Sequence, residues 1–128
     1  MQTYIGNLEK DTEENQKFRK VLYTGKHCQL VLMTLKVGED IGMEVHPSVD
    51  QFFRFESGQG MVIIDGEEAE VSGGFAVVVP AGSQHNIINT SPTENLKLYT
   101  IYSPANHPEG TIHATKAEAM EAEEHEHH

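Results

Sequence analysis

Short apolar runs separated by turn residues extend from about Phe18 to Ser103, and no long helical period interrupts them. The run "CQLVLMTLK" is apolar on both faces, which is typical of a strand that is covered on both sides. In "QFFRFES" the alternation places Gln51, Phe53 and Phe55 on one face of a strand. Such a series of closely spaced strands predicts an antiparallel sandwich or barrel.

Turn and cap signals divide this series and mark its two ends. Asp65-Gly66 lies between β-rich flanks and predicts a tight hairpin, because both residues tolerate positive φ angles. Near the N-terminus, "KDTEENQKFRK" predicts one helical turn capped by Asp11. Thr115 and Glu118 have capping-box spacing ahead of an Ala- and Glu-rich run, which predicts a marginal, solvated helix. We therefore expect a single domain over residues 1–115 and a mobile, acidic, histidine-containing tail over 116–128.

Composition and charge narrow the choice of partners. The 128 residues carry a net charge of −11, and the nine basic residues are scattered, so nucleic acid and membrane surfaces are poor candidates. With neither a long apolar run nor a secretion signal in "MQTYIGNLEK", the expected location is the cytoplasm. Cys28 is the only cysteine, which excludes an internal disulfide and a cysteine metal cluster. Its apolar surroundings in the sequence predict a buried, inert thiol.

Two stretches contain glycine, histidine and other polar residues at recurring intervals. The first, "GEDIGMEVHPSVDQFFRFESG", has its marked positions at Gly38, Glu44, His46, Gln51 and Gly58. The second, "GGFAVVVPAGSQHNIIN", has them at Gly74, Pro80, Gly82, His85 and Asn89. These spacings resemble the two signature motifs of the cupin superfamily. The resemblance covers residues 36–103 and implies an all-β fold, a double-stranded β-helix or jelly-roll barrel, with a short irregular N-terminal segment.

The resemblance also implies a metal site. Carried over position by position, its ligands are Glu44, His46, Gln51 and His85, although the family usually has histidine at the first position and glutamate at the third. Two imidazoles, one carboxylate and one amide oxygen suit one divalent transition-metal ion such as Mn, Fe, Co, Ni or Zn. The alternative is a metal-free barrel whose polar residues bond to each other and to water.

Other polar and aromatic residues have simpler interpretations. Phe53 and Phe55 are either barrel core or the apolar wall of a small-molecule pocket. Tyr99 and Tyr102 have opposite parity, so at most one of them lines the barrel. We expect His107 to be an ordinary, satisfied side chain, and the terminal "HEHH" to capture metal adventitiously. The remaining expectations are that Asn89 satisfies backbone groups, that His27 is likewise ordinary, and that Arg54 points away from the ligands.

The leading functional hypothesis is a metalloprotein that acts on a small polar molecule, with sugar or sugar-phosphate isomerisation as the first reaction considered. The segments "EVHPSVDQFFR" and "HPEGTIH" resemble small bacterial cupins labelled mannose-6-phosphate isomerase-like. Two alternatives remain open: a non-catalytic module that binds a small molecule, and a metal-dependent dioxygenase. The isomerase hypothesis lacks an evident base, because Glu44, the carboxylate of the motif, is assigned to the metal.

We expect a homodimer, because the family resemblance implies one and because strands that are apolar on both faces need cover. Sedimentation of the purified protein at micromolar concentration should give twice the chain mass. A monomer under those conditions would show the expectation to be wrong.

Overall fold

The computed structural model describes residues 3–126, and it describes side chains as far as Glu124. Ten strands and two helices form this part of the chain. The elements are α1 (Leu8–Glu14), β1 (Arg19–Thr24), β2 (Gln29–Leu35), β3 (Glu44–Val45), β4 (Asp50–Ser57), β5 (Gln59–Ile64), β6 (Glu67–Ser72), β7 (Ala76–Val79), β8 (Gln84–Asn89), β9 (Leu96–Ser103), β10 (Ile112–His113) and α2 (Lys116–Glu126).

The strands form two antiparallel sheets. One has six strands in the order β10-β1-β2-β9-β4-β7, and the other has four in the order β3-β8-β5-β6. The core is a cluster of fully buried side chains from both sheets, among them Met33, Phe53, Phe55, Ile87 and Leu98. This architecture confirms the predicted all-β jelly roll.

The alternation along individual strands agrees with the sequence. Gln51, Phe53 and Phe55 are buried on one face of β4, and β2 is buried on both faces from Val31 onward. The hairpin between β5 and β6 turns at Asp65 (φ 49°) and Gly66 (φ 85°), as a primed turn requires. These predictions are confirmed. Each depends on the alternation of side chains along one strand or on the φ angles of one turn.

Two local predictions are wrong. Cys28 is exposed, because it precedes β2 in the loop that joins β1 to β2, where its carbonyl accepts from the Gly25 N–H at 2.8 Å. Helix α1 is capped by Asn7, whose Oδ1 accepts from the Lys10 N–H at 3.1 Å. Asp11 lies inside the helix and instead accepts from the Tyr4 hydroxyl at 2.6 Å. The helix therefore begins earlier than predicted, with Asn7 as its N-cap.

The C-terminal segment returns to the barrel. Strand β10 pairs with β1, and α2 follows it with Ala119 buried and with Lys116 Nζ 2.5 Å from Asp40 Oδ1. The predicted cap is confirmed, since the Glu118 N–H donates to Thr115 Oγ1 at 3.2 Å. The mobility of residues 116–128 and the adventitious metal capture by "HEHH" stay predictions, and the last two residues of "HEHH" lie outside the described residues.

Neither helix within residues 3–126 is long and apolar enough to span a membrane. The cytoplasmic location stays a prediction.

Gly38 begins the first motif and Gly58 ends it, and a comparison of the two tests the effect of a backbone clash on stability. Both have positive φ, but a Cβ at Gly58 would lie 2.5 Å from Asn95 O, whereas one at Gly38 would meet no described atom within 4 Å. We expect Gly38→Ala to lower the free energy of unfolding by about 1 kcal/mol and Gly58→Ala to lower it by about 3 kcal/mol, because only the second adds a backbone clash to the φ strain. Urea unfolding of both variants measures the difference, and equal losses would contradict it.

Candidate metal centre

The pairing of β3 with β8 brings the first predicted ligands together. Glu44 lies directly across from His85 in this register. His46 follows β3 by one residue, and its carbonyl accepts from the Gly82 N–H at 2.9 Å, which fixes the loop. One ligand atom from each of Glu44, His46 and His85 lies within 4.8 Å of the other two, a spacing that a single ion can bridge.

The contact between Glu44 and His46 is close but is not a hydrogen bond. Glu44 Oε2 lies 2.9 Å from His46 Nε2. The ring nitrogen nevertheless has no aligned hydrogen-bond partner among the described residues, although it is buried. Buried polar atoms are normally satisfied, so a nitrogen and a carboxylate oxygen that approach without alignment fit two ligands directed at a common ion.

Gln51 supplies a second unsatisfied atom. Its side chain is only 3% exposed, and its Nε2 donates to Thr100 Oγ1 at 2.9 Å. Its Oε1 is buried without a hydrogen-bond partner within residues 3–126. Gln51 contacts Tyr102, whose ring lies edge-on to the His46 ring at 5.9 Å, so Tyr102 connects the amide to His46.

His85 is held in the form that binds metal. Its Nδ1 lies 3.2 Å from the Ser83 carbonyl and donates to it, which leaves the lone pair on Nε2. Burial lowers the pKa of His85, an effect that the Ser83 contact and the Glu44 charge only partly offset. The imidazole is therefore neutral at pH 7 and can act as a ligand.

A buried pair of neutral groups lies beside these ligands. Tyr102 Oη lies 3.2 Å from His107 Nε2, and the two rings meet edge to face at 5.1 Å. Burial raises the pKa of Tyr102 above its usual range and lowers the pKa of His107 to about 3, with the Arg19 charge as the next contribution to the latter. The phenol thus keeps its proton and donates to an uncharged imidazole.

A cavity of about 380 Å³ opens at this place, and its walls include Glu44, His46, His107 and Glu123. Phe53 and Phe55 lie in the core, with the Phe53 ring 6.1 Å from the His85 ring, and neither lines this cavity. Their pocket-lining role stays a prediction.

Most of the surrounding side chains lie as the sequence predicts. Asn89 donates to two backbone carbonyls and accepts from a third residue, as expected. Arg54 lies on the outer face of β4, 3.6 Å from Glu56, also as expected. Tyr102 is buried while Tyr99 lies on the other face beside Phe52. His107, which the sequence analysis treated as ordinary, is a wall of the cavity.

Sequence reasoning missed Arg19. This residue of β1 is buried with 1% of its surface exposed, although it belongs to neither motif. The available signal was parity: Arg19 and Val21 share the inward face of a strand, which places a cation on an apolar face.

Comparison with known proteins gives consistent results. Residues 31–102 match the Cupin domain family, a range that contains all four predicted ligands. The protein YrkC of Bacillus subtilis (strain 168) is 50% identical over 127 residues, which cover 94% of this chain and 68% of YrkC. The protein L612 of Acanthamoeba polyphaga mimivirus is 46% identical over 115 residues, covering 87% and 71%. The crystal structure of BH2720 from Bacillus halodurans superposes with a TM-score of 0.90 at 46% identity, covering 92% of this chain and 93% of that one.

The buried imidazoles predict a pH dependence of stability in the metal-free protein. The folded pKa of His107 is about 3, below the ordinary value of 6.5, so the unfolded chain binds more protons as the pH falls below about 6.5. Stability should therefore decrease from pH 7 to pH 5, by at most about 1.4 kcal/mol per pH unit for this group. Urea unfolding at pH 7, 6 and 5 should show a smaller decrease for His107→Gln. His27→Gln, at an exposed histidine, is the control. If stability decreases with pH as steeply in His107→Gln as in the parent protein, His107 is not the cause of the pH dependence.

Proposed function

The chain belongs to the cupin family, and on this premise we propose that it binds one divalent transition-metal ion and acts on a small polar molecule at that ion. The proposed ligands are Glu44, His46, Gln51 and His85. Mn, Fe, Co, Ni and Zn all suit a set of two nitrogens and two oxygens.

The observation that carries this proposal is the pair of buried, unsatisfied atoms at two ligand positions. His46 Nε2 and Gln51 Oε1 have no aligned partner among the described residues. Leaving a buried polar atom unpaired costs about 1–3 kcal/mol, so two such atoms in one place favour a missing common partner over a self-satisfied barrel. The carboxylate of Glu44, 2.9 Å from His46 Nε2, favours a cation as that partner.

The exchanges relative to the usual cupin motif preserve the charge of the site. A carboxylate replaces an imidazole at Glu44, and an amide replaces a carboxylate at Gln51. Four ligands and one negative charge therefore remain. Because an amide oxygen is a weaker donor than a carboxylate, we expect weaker binding of the ion than the usual ligand set provides.

The cavity beside the ligands suits a small polar molecule. Its volume of about 380 Å³ is at the lower end of the range for small-molecule sites. A bound ion would polarise a carbonyl or hydroxyl group of the ligand. His107 contributes an uncharged wall of the cavity, and Tyr102 lies 3.2 Å from its Nε2 as a buried hydrogen-bonding partner.

Sugar isomerisation, the more specific form of the proposal, has less support. It requires a group that accepts a proton from carbon at neutral pH. With its pKa near 3, His107 is a weak base, while Tyr102 keeps its proton and Glu44 is assigned to the ion. Metal-dependent binding of a polar molecule is therefore the function that the geometry supports best. The binding module and the dioxygenase remain the alternatives, and loss of turnover on chelation separates an enzyme from a module.

The homodimer remains a proposal, and outward-facing apolar side chains support it. Val78 on the edge strand β7 is exposed. Phe75, which directly precedes β7, and Val45 on β3 are exposed as well. An edge strand with apolar side chains is a natural place for another chain to pair.

Elemental analysis tests the metal proposal directly. We expect roughly one ion per chain in the parent protein and almost none in the His46→Ala, His85→Ala double variant, because loss of two imidazoles removes half of the ligand set. Circular dichroism must show that the variant keeps its strands.

The matched control removes other histidines. Replacing the exposed His27 together with the terminal His125, His127 and His128 by alanine should leave the metal content unchanged. Equal metal in the parent and in the double variant, with loss only in the control, would assign the ion to these four other histidines and end the proposal.

A further inference from the structure

A buried arginine contacts Glu123, a residue of the cavity wall, and is poorly paired among the described residues. Arg19 is 1% exposed, and its Cζ lies 5.4 Å from the centre of the Phe18 ring. Burial of a guanidinium is costly unless hydrogen bonds and an opposite charge compensate it. The chain therefore retains this cation at an energetic cost.

Among residues 3–126, the hydrogen-bonding contacts of Arg19 are few and long. Its Nη1 lies 3.3 Å from His113 Nδ1 and 3.4 Å from Glu123 Oε1, and both contacts use the same nitrogen. Its Nε is buried and has no hydrogen-bond partner among the described residues. A well-formed arginine–carboxylate pair instead has two parallel bonds of about 2.7–2.9 Å. The guanidinium thus keeps donor capacity for a better-placed anion.

The charge of Arg19 acts on the cavity walls. It lowers the pKa of His107, whose side chain lines the cavity, and it also acts on the buried Tyr102. Glu123 lines the same cavity and lies between Arg19 and the exterior. A carboxylate thus already stands where an anionic ligand would meet the guanidinium.

Glu123 can leave this position with little loss of free energy when another anion takes its place. Its side chain is 41% exposed, so its carboxylate is largely hydrated even when it contacts Arg19. Helix α2, which carries it, buries Ala119 and is otherwise held to the barrel by polar contacts such as Lys116 with Asp40. At 3.4 Å the carboxylate makes one long contact with the guanidinium, and an incoming anion would replace its charge.

We propose that Arg19 binds the carboxylate of the small-molecule ligand and that Glu123 occupies the same position when the ligand is absent. The inference rests on the proposed function for its cavity, and it narrows the ligand to a carboxylic acid that also bears a hydroxyl or carbonyl group. Displacement of Glu123 exchanges one carboxylate for another, so the buried cation is never left without an anion.

Binding of acetate to the full-length protein tests this assignment by calorimetry. We expect Glu123→Ala to bind acetate about tenfold more tightly than the parent protein, because removal of the internal competitor frees the guanidinium. Glu124→Ala, which removes the neighbouring exposed glutamate of the same helix, should bind acetate as the parent does. Acetamide, the uncharged isostere, should show no gain in any variant.

Acetate can also bind a metal ion, so the comparison is repeated in the His46→Ala, His85→Ala background. If Glu123→Ala still binds acetate more tightly in this background, the gain in affinity is assigned to Arg19. Loss of the gain in this background would overturn the inference. Arg19→Gln added to Glu123→Ala should abolish the gain; if that variant does not fold, the comparison of Glu123→Ala with Glu124→Ala decides alone.

Three further outcomes would overturn the inference: equal acetate affinity in Glu123→Ala and the parent, an equal gain in Glu124→Ala, or a larger gain for inorganic phosphate than for acetate. Failure of the metal proposal has a different signature, since the parent would then lack an ion while the acetate gain persisted.

Discussion

The two-residue pairing of β3 with β8 is the constraint on which the site depends. It sets Glu44 opposite His85, and the bond from the Gly82 N–H to the His46 carbonyl then holds the third side chain against them. Because side chains alternate along a strand, a slip of one residue would turn Glu44 to the other face and separate the donors. Gln51 comes from the six-stranded sheet, so the four positions meet only because the two sheets close around a common interior.

Charge within this interior is divided between two places. Glu44 is the carboxylate at the histidine pair, and Arg19 is the buried cation beside Glu123. Between them lie groups that burial keeps uncharged, Tyr102 and His107. An ion at the first place and a guanidinium near the second would orient a small anionic ligand, since each binds a different part of it. The two proposals therefore describe complementary parts of one cavity.

Much of the fold was predictable because it follows from local rules, such as the hairpin at Asp65-Gly66 and the inward face of β4. The proposed ligand set came from the resemblance to the cupin motifs, and the structure brings three of its members, Glu44, His46 and His85, together. The pairing of Arg19 with Glu123 was not predictable, because the two residues are 104 positions apart and meet only through the return of β10 and α2 to the barrel. Cys28 was misjudged because an apolar run does not show where its strand begins.

Anomalous diffraction from crystals of the metal-loaded protein would locate the ion. We expect one peak per chain at the absorption edge of the bound ion, in contact with Glu44, His46, Gln51 and His85, with the Gln51 Oε1 directed at it. A strong peak elsewhere with none at these side chains would refute the proposed metal site, as would Gln51 Oε1 bonded to protein or water instead of the ion.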